Sequence, residues 1–373
     1  MRLNYIKFNF FTLISIVFTL TYCLNSCTTE KKENDWSKNN LKGKVKCLKE
    51  FSYEAVERFG NIEKGNRKRA KFSYNYDKYL LFNKKGFLVE ETFYKTDGTV
   101  EKMDVFKYDE KGNIIENNKY KSGKKFDSKS IFEYDNNEKL IKESKLNPDG
   151  SINFNKIYKY DIKGNLIEEN THDHDGKLFS KFTYIYDEKN KLIEENRYNP
   201  DGNLDFKNKY KYDTKGNLIE SNGYNSDGSI STKATYVYDK NGNKLEENIY
   251  ESAENLSLRI TYVYDNKENI IENCWYNSDN TLYSKTTTKY DRNRNIIEEK
   301  SYGPDGSMKG LYTCEFDKKG NKIEISRFSY NNGVFEEKMT DKYEYDKVGN
   351  WNKSFEFEND SPKYIIEREI EYF

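Results

Sequence analysis

The stretch "YKYDTKGNLIESNGYNSDGSI" runs from Tyr210 to Ile230 and contains two turn signals separated by an apolar run. Gly216-Asn217 and Asp227-Gly228 are typical of tight turns, because glycine tolerates positive φ and Asp or Asn bonds the nearby backbone. An Asp-Gly pair between apolar runs is a strong hairpin signal. The stretch therefore predicts a β-strand on each side of two consecutive turns.

The same pattern recurs along most of the chain with a period of 26 residues, marked by a Tyr-Asp pair. These tyrosines are Tyr108, Tyr134, Tyr160, Tyr186, Tyr212, Tyr238, Tyr264 and Tyr290. Phe82-Asn83 precedes the series, Phe316-Asp317 continues it, and Tyr345-Asp346 follows after 29 residues. So regular a period is the signature of a repeat architecture.

Within each unit, apolar and aromatic residues share the parity of the Tyr-Asp tyrosine. Around Tyr212 these are Leu204 and Tyr210, whereas Lys209 and Lys211 have the opposite parity. In a β-strand, alternate residues point to opposite faces. We therefore expect Tyr210, Tyr212 and the equivalent tyrosines on a packed face, and the lysines on the other.

The predicted fold class is all-β, an antiparallel meander of about ten 26-residue, two-strand repeats. A helical interpretation is disfavoured by turn dipeptides about every thirteen residues and by the Tyr, Phe, Ile and Thr content. Open sheets rarely exceed about ten strands without curling. We therefore expect a sheet coiled into a twisted or spiral form, with the tyrosine-rich face inside.

The N-terminus has the features of a secretory signal. Arg2 and Lys7 precede a mostly apolar stretch, which leads to Leu24-Asn25-Ser26-Cys27. This ending resembles the lipobox of bacterial lipoproteins, and the resemblance implies cleavage before Cys27 and lipidation of Cys27. An ordinary signal peptide cleaved elsewhere is the alternative.

The rest of the chain divides by composition. "TTEKKENDWSKNN" is polar and charged, typical of a disordered tether. The predicted domains are a signal peptide (1–26), a tether (27–40), an N-terminal β cap (41–81), the repeat array (82–341) and a C-terminal capping repeat (342–373).

The "YDxxGNLIE" units resemble the YD repeats of RHS-type proteins over about residues 82–373. Tyr160-Asp161, Gly164-Asn165, Leu166 and Ile167 carry the match, together with their copies. The resemblance implies a β-strip wound into a spiral shell or used as a surface-binding stalk. The unit is longer than the usual YD repeat, and enclosure of a toxin is not implied. Similarity to MORN-like hairpin repeats is weaker.

Charge and cysteine content limit the classes of partner, disulfide and metal site that are expected for this chain. The chain has 63 basic and 63 acidic residues, so it lacks the basic field expected for a nucleic-acid-binding protein. Cys47, Cys274 and Cys314 are far apart, which argues against a disulfide framework or a CxxC metal site. The sequence leaves open whether any two of them pair.

The candidates for chemistry each have a simpler explanation. His172 and His174, in "THDHDG", could bind a divalent metal, but they also fit a divergent turn. Paired acids such as Glu168-Glu169 point to opposite faces of a strand, so they cannot act together on one substrate. Turn capping explains the repeated Tyr-Asp aspartates without calcium. We expect no catalytic residue, no metal and no cofactor.

The tyrosines, 33 in the chain, could stack on sugars, although their parity favours a role in packing. The expected function is therefore a non-enzymatic, lipid-anchored protein of the outer membrane or cell surface that acts as a binding or spacer surface. Its expected partners are the membrane, through Cys27, and an envelope protein or a glycan. The alternative is a glycan-binding or glycan-processing surface protein.

Overall fold

The computed structural model describes residues 34–68, 77–331 and 334–373, so the predicted signal peptide and Cys27 lie outside the described residues. Within these described ranges, one short helix, α1 (Asp35–Lys38), and one 3-10 turn, Ser122–Lys124, accompany 25 strands. The strands are β1 Val45–Arg58, β2 Asn61–Arg67, β3 Asp77–Phe82, β4 Leu88–Tyr94, β5 Val100–Tyr108, β6 Ile114–Lys121, β7 Lys125–Tyr134, β8 Leu140–Leu146, β9 Ile152–Tyr160, β10 Leu166–His172, β11 Leu178–Tyr186, β12 Leu192–Tyr198, β13 Leu204–Tyr212, β14 Leu218–Asn225, β15 Ile230–Tyr238, β16 Lys244–Tyr250, β17 Leu256–Tyr264, β18 Ile270–Asn277, β19 Leu282–Tyr290, β20 Ile296–Tyr302, β21 Met308–Phe316, β22 Lys322–Asn331, β23 Val334–Tyr345, β24 Trp351–Glu358 and β25 Ser361–Tyr372.

The two turns of most units share one geometry. After Tyr212, the amide of Gly216 donates to the carbonyl of Asp213, and the amide of Asp213 donates to the carbonyl of Asn217. Gly216 has a φ of 89°, which only glycine adopts without strain. This is a type I turn followed by a left-handed residue, a common three-residue hairpin connection. Turns of this kind at both ends of the strands produce the antiparallel meander.

A one-residue bulge accompanies each turn. Lys211 pairs with Glu220 and Tyr212 pairs with Leu218, so Ile219 is the additional residue. In the next hairpin Gly223 pairs with Thr232 and Tyr224 with Ile230. Bulges of this kind increase strand twist and bend the sheet locally. Repeated in every unit, they curve the wall continuously.

The sheet closes on itself, and the prediction of a twisted or spiral strip is therefore wrong. β1 pairs with β3 from Cys47 to Glu50 and with β25 from Val45 to Glu54. Together with the meander from β3 to β25, these pairings make a closed antiparallel β-barrel of 24 strands. Closure removes the two sheet edges that an open strip would expose. At about 4.8 Å per strand, the ring has a diameter of roughly 37 Å before strand tilt widens it.

β2 is the strand outside the ring. It pairs with the distal half of β1, from Tyr53 to Arg58, and forms a hairpin that extends beyond the barrel strands. The hairpin tip carries Phe59, which is fully exposed.

The N-terminal and C-terminal segments do not cap separate ends of an array; they form the closing joint together. We call this joint the seam and define it as α1, β1, β3, β24 and β25. Its core contains Trp36, Leu41, Val45, Leu48, Leu80 and Phe82, all buried. Trp36 lies in the stretch predicted as disordered tether. Its indole N–H donates to the carbonyl of Val45 at 2.7 Å, so residues 34–40 are packed onto the barrel.

α1 fits against the turn between β3 and β4. A Cβ on Gly86 would lie 2.6 Å from the Trp36 ring, so the ring requires glycine at that position. The amide of Asp35 donates to the carbonyl of Gly86, and an Asp35 carboxylate oxygen accepts from the amide of Leu88. In the described part of the chain, no helix has the length and apolar character needed to cross a membrane.

Candidate binding surfaces of the barrel wall

The wall has two chemically different faces. The tyrosine face carries the residues that share the parity of Tyr212, and the ion-pair face carries those of the opposite parity. On β13, Tyr210 is 6% exposed, whereas Lys209 and Lys211 on the ion-pair face are exposed. The parity assignment made from the sequence is therefore confirmed on this strand.

Lysine and glutamate form ladders on the ion-pair face. Glu168 on β10 accepts from Lys159 on β9 at 2.6 Å and from Lys181 on β11 at 2.8 Å. One carboxylate thus bridges three strands. These two lysines hold the pKa of Glu168 at about 2, despite the opposing effect of partial burial.

The same ladder recurs at other units. Glu116 contacts Lys107 at 2.9 Å and Lys129 at 2.7 Å, and its pKa is also lowered to about 2. A partial version occurs at Glu298, which contacts Lys289 on the neighbouring strand at 2.9 Å and Lys300 on its own strand at 3.1 Å. Since the charges neutralise one another locally, the ion-pair face is polar with little net field.

Tyrosine hydroxyls on the other face hold neighbouring strands together. The hydroxyl of Tyr212 donates to the carbonyl of Leu192 at 2.8 Å, and Leu192 is where the bulge of β12 begins. The same bond is made by Tyr108, Tyr134, Tyr160, Tyr186, Tyr238, Tyr264, Tyr290 and Tyr345. These hydroxyls are structural, because each satisfies a backbone acceptor at the start of the preceding strand. Phe316 occupies the equivalent position without a hydroxyl.

A second tyrosine row lies deeper on the tyrosine face. The Tyr210 hydroxyl lies 3.2 Å from a carboxylate oxygen of Glu195, and burial is the main cause of the raised pKa of Tyr210. Lys244 lies 2.6 Å from buried Glu247, and its ammonium sits 5.4 Å from the ring centre of Tyr236. Acidic, basic and aromatic groups on this face are therefore already engaged with one another.

The seam holds two groups of buried charge. Arg368 on β25 donates to Glu50 on β1 at 2.7 Å, with its guanidinium 3.3 Å from the Trp351 ring centre. Glu50 is 1% exposed, so this ion pair is buried and crosses the closing strands.

A carboxyl pair joins β24 of the seam to β23. Asp341 and Glu356 are directly opposed across the two strands, and Arg327 donates to Asp341 at 2.6 Å. Burial, and then the charge of Asp341, raise the pKa of Glu356 to about 7. Nothing in the sequence pattern singles out Glu356, because its shift depends on tertiary burial.

The sequence-level candidates for chemistry are not brought together. His172 lies in β10, and His174 lies in the following turn with its Nε2 3.5 Å from Asp175. No group of three or more His, Cys, Asp or Glu side chains in residues 34–68, 77–331 and 334–373 is arranged to bind a metal ion. Cys47, Cys274 and Cys314 are buried and free on three different strands.

The paired acids lie on opposite faces, as predicted. Glu168 belongs to the ion-pair ladder, whereas Glu169 contacts Lys156 at 2.9 Å on the tyrosine face. The turn aspartates cap their own turns: Asp109 accepts from the backbone amide of Asn113 at 2.8 Å and from its side-chain amide at 2.8 Å.

No protein-family model matches this chain, and no curated protein sequence matches it. Among solved structures, it is similar to a crystal structure of TcdB2-TccC3-Cdc42, with 14% identity and a TM-score of 0.39 over 82% of this chain and 16% of that chain. The Photorhabdus luminescens Tc holotoxin pore gives 11% identity and a TM-score of 0.39 over 79% of this chain and 20% of that chain. This chain thus spans a fifth or less of the length of those toxin chains.

A porin-like protein from Bacteroides uniformis is also similar, with 10% identity and a TM-score of 0.27 over 88% of this chain and 96% of that chain. At these identities and TM-scores, nothing about the family or function of this chain follows from the likeness. The resemblance of the Tyr-Asp units to YD repeats stays a prediction.

Proposed function

We propose that this chain is a non-enzymatic, lipid-anchored protein of the bacterial outer membrane whose closed barrel stands at the membrane surface as a binding or spacer module. The proposal combines the lipobox-like sequence ending at Cys27 with a barrel whose N-terminal segment is fixed to one rim. The barrel itself is the functional element, since its wall is the same hairpin repeated around the ring.

The position of the N-terminal segment carries the proposal. Asp35 bonds the turn between β3 and β4, and the amide of Lys42 donates to the side chain of Asn350 at 2.7 Å in the turn before β24. Both turns belong to the Tyr-Asp series and lie on the same rim. Seven residue steps separate Cys27 from Asn34, a length that can span at most about 25 Å. A lipid at Cys27 would therefore hold this rim close to a bilayer.

The chemistry of the wall supports a barrel beside the bilayer rather than within it. A membrane-spanning barrel presents an apolar band about 25 Å tall to the lipid. Here, ion pairs such as Lys159–Glu168 line one face. The other face carries charged and polar groups such as Glu169, Glu195 and Asn208 among its tyrosines. Placing either face in hydrocarbon would bury charges at high cost.

The glycan-binding alternative receives less support from the tyrosine row. Sugar binding requires aromatic rings and polar groups that are free to contact a ligand. The Tyr-Asp hydroxyls instead donate to backbone carbonyls of the preceding strand, as Tyr212 does to Leu192. The row is thus used for packing between neighbouring strands.

Detergent phase partitioning tests the anchor. The wild-type chain should enter the detergent phase, and Cys27→Ala should move it to the aqueous phase. Cys23→Ala is the matched control, because Cys23 would be removed with the signal peptide and its loss should change nothing. If the Cys27→Ala chain stays in the detergent phase, the anchor is not at Cys27.

A further inference from the structure

The two rims of the barrel have different charge. In the Tyr-Asp turns, the two central residues project furthest from the strands, and ten of the eleven turns carry lysine or arginine there. Glutamate occupies such a position in two of them, Glu110 and Glu188. Representative side chains, all exposed, are those of Lys111, Lys163, Lys215, Lys267 and Lys319. We call this the lysine rim.

The opposite rim is acidic. Seven of its turns place aspartate at the second central position, namely Asp97, Asp149, Asp175, Asp201, Asp227, Asp279 and Asp305. These carboxylates are exposed. No lysine or arginine occupies a central position in those seven turns. The barrel is therefore polarised along its axis, even though the chain has equal numbers of acidic and basic residues.

Aspartates are present on the lysine rim as well, but they lie one position deeper. Asp213, for example, accepts from the backbone amides of Lys215 and Asn217 at 2.9 and 2.8 Å, so it is turned back toward its own turn. The neighbouring lysines reach along the rim toward the next turn, where Lys111 lies 3.5 Å from the carboxylate of Glu138. Lys215 donates to the carbonyl of Lys240 at 2.6 Å, which positions its ammonium without neutralising it.

The N-terminal segment arrives at the lysine rim. α1 contacts the turn at Gly86, and Lys42 donates to Asn321 at 2.7 Å in another turn of the same rim. The end of the barrel that the N-terminal segment contacts is therefore also the end that carries the exposed lysines.

We propose that the lysine rim docks on the anionic phospholipid headgroups of the membrane that holds the anchor, so that the barrel stands upright with its acidic rim directed outward. This rests on the proposed lipid anchor for its orientation, but the contact is a separate property of the rim. Juxtamembrane lysines gain affinity from the negative surface potential of anionic lipids, and the gain decays within a Debye length. A ring of lysines held within the reach of the short N-terminal connection meets that condition.

Vesicle sedimentation tests the rim without the lipid. Residues 28–373, which include every described residue, are mixed at low salt with phosphatidylcholine vesicles that contain or lack phosphatidylglycerol. We expect binding only to the anionic vesicles and release by salt. The variant Lys111→Gln, Lys163→Gln, Lys189→Gln, Lys215→Gln should bind at least about tenfold more weakly.

The matched control removes the same charge from the acidic rim: Lys95→Gln, Lys124→Gln, Lys125→Gln, Lys177→Gln. It should bind as the wild type does. Equal loss in both variants, equal binding to both kinds of vesicle, or no binding to anionic vesicles would each overturn the proposal. Circular dichroism of both variants verifies that these exposed turn substitutions leave the fold intact.

The two proposals fail separately. If Cys27→Ala leaves detergent partitioning unchanged while the rim variant still loses vesicle binding, the anchor proposal is wrong and the rim contact stands. If the anchor is demonstrated and the vesicles do not discriminate between the variants, the rim proposal alone is wrong.

Discussion

β13 in the repeat wall has one buried side chain, Tyr210, whereas β1 at the seam has five. The wall, β5 to β21, consists of nearly identical hairpins in which most side chains are partly or fully exposed. The seam contains the buried apolar cluster around Trp36 and Leu48. Hairpins in the wall contact units of their own kind, whereas β1 and β25 must select each other from opposite ends of the chain. A unique core provides that selection, which a repeat cannot.

The pKa values of carboxylates also differ between the wall and the seam. Glu116 and Glu168 in the wall have pKa values lowered to about 2, because lysines on both neighbouring strands contact them. At Glu356, on β24 of the seam, burial raises the pKa to about 7. Carboxylates in the wall are therefore stabilised as charged groups, whereas Glu356 is stabilised as the neutral acid.

The largest expected effect comes from changing the number of strands. Deleting residues 187–212 removes one 26-residue unit, leaves an even number of strands, and keeps β1 antiparallel to β25. Deleting residues 187–199 removes one turn and one strand, so every later strand reverses and the antiparallel seam cannot form. We expect the 26-residue deletion to unfold cooperatively and the 13-residue deletion to lose that transition, measured by thermal denaturation followed by circular dichroism.

The two deletions form a matched pair because both cut the wall at the same turn. Each leaves the core residues of the seam in place. If the two chains unfold with equal cooperativity, the seam does not determine stability, and the contrast between wall and seam fails.

The strands and turns of the wall could be predicted because the residues that specify them lie close together in the sequence. Tyr212, Gly216 and Asp227 specify two turns and the parity of the strands between them. Closure is not encoded locally, since Glu50 and Arg368 are 318 residues apart and neither belongs to the repeat. A general limit on the size of open sheets indicated curvature but could not distinguish a spiral from a ring.

Two smaller differences between prediction and structure also arise from contacts that are not local in the sequence. Trp36 lies in a segment whose composition is typical of disorder, yet a single indole filled the site above Gly86 and ordered residues 34–40. Sequence parity placed Tyr212 on the packed face, but the acceptor of its hydroxyl, Leu192, follows from the bulge in β12. The sequence does contain a signal for this bond, because most units have tyrosine where phenylalanine would pack equally well.

Glu356→Gln tests the electrostatic contrast. The folded-state pKa of Glu356, about 7, is above its unfolded value of about 4.5, so the folded state binds the proton more tightly. Stability from this group is fully present below pH 4.5 and is lost as the pH rises to 7. Because glutamine stays neutral, the substitution should raise the free energy of unfolding at pH 7.5 by about 3 kcal/mol and have little effect at pH 4. Urea denaturation at several pH values measures both.

Glu168→Gln is the matched control, and it should change the free energy of unfolding in the opposite direction. The folded-state pKa of Glu168 is lowered to about 2, so its stabilisation is present above pH 4.5 and is lost as the pH falls toward 2. Its replacement should destabilise the barrel at neutral pH. If both substitutions change the free energy of unfolding in the same direction at pH 7.5, the two regions do not differ electrostatically as described.

The smallest expected effect concerns a single hydroxyl of the wall. Tyr212→Phe removes the bond to the carbonyl of Leu192 and keeps the ring, so it should cost about 1 kcal/mol in the free energy of unfolding. Increased hydrogen exchange should be confined to β12, β13 and the turn between them, because each unit contacts chiefly its neighbours.

Phe316→Tyr is the reverse substitution. After Phe82, Phe316 is the one Tyr-Asp position of the regular series that lacks the hydroxyl. Its replacement by tyrosine should be neutral or stabilise the barrel by up to the same amount. A loss of protection that reached β1 and β25 after Tyr212→Phe would mean that wall and seam unfold as one unit, and the distinction between a modular wall and a unique joint would be lost.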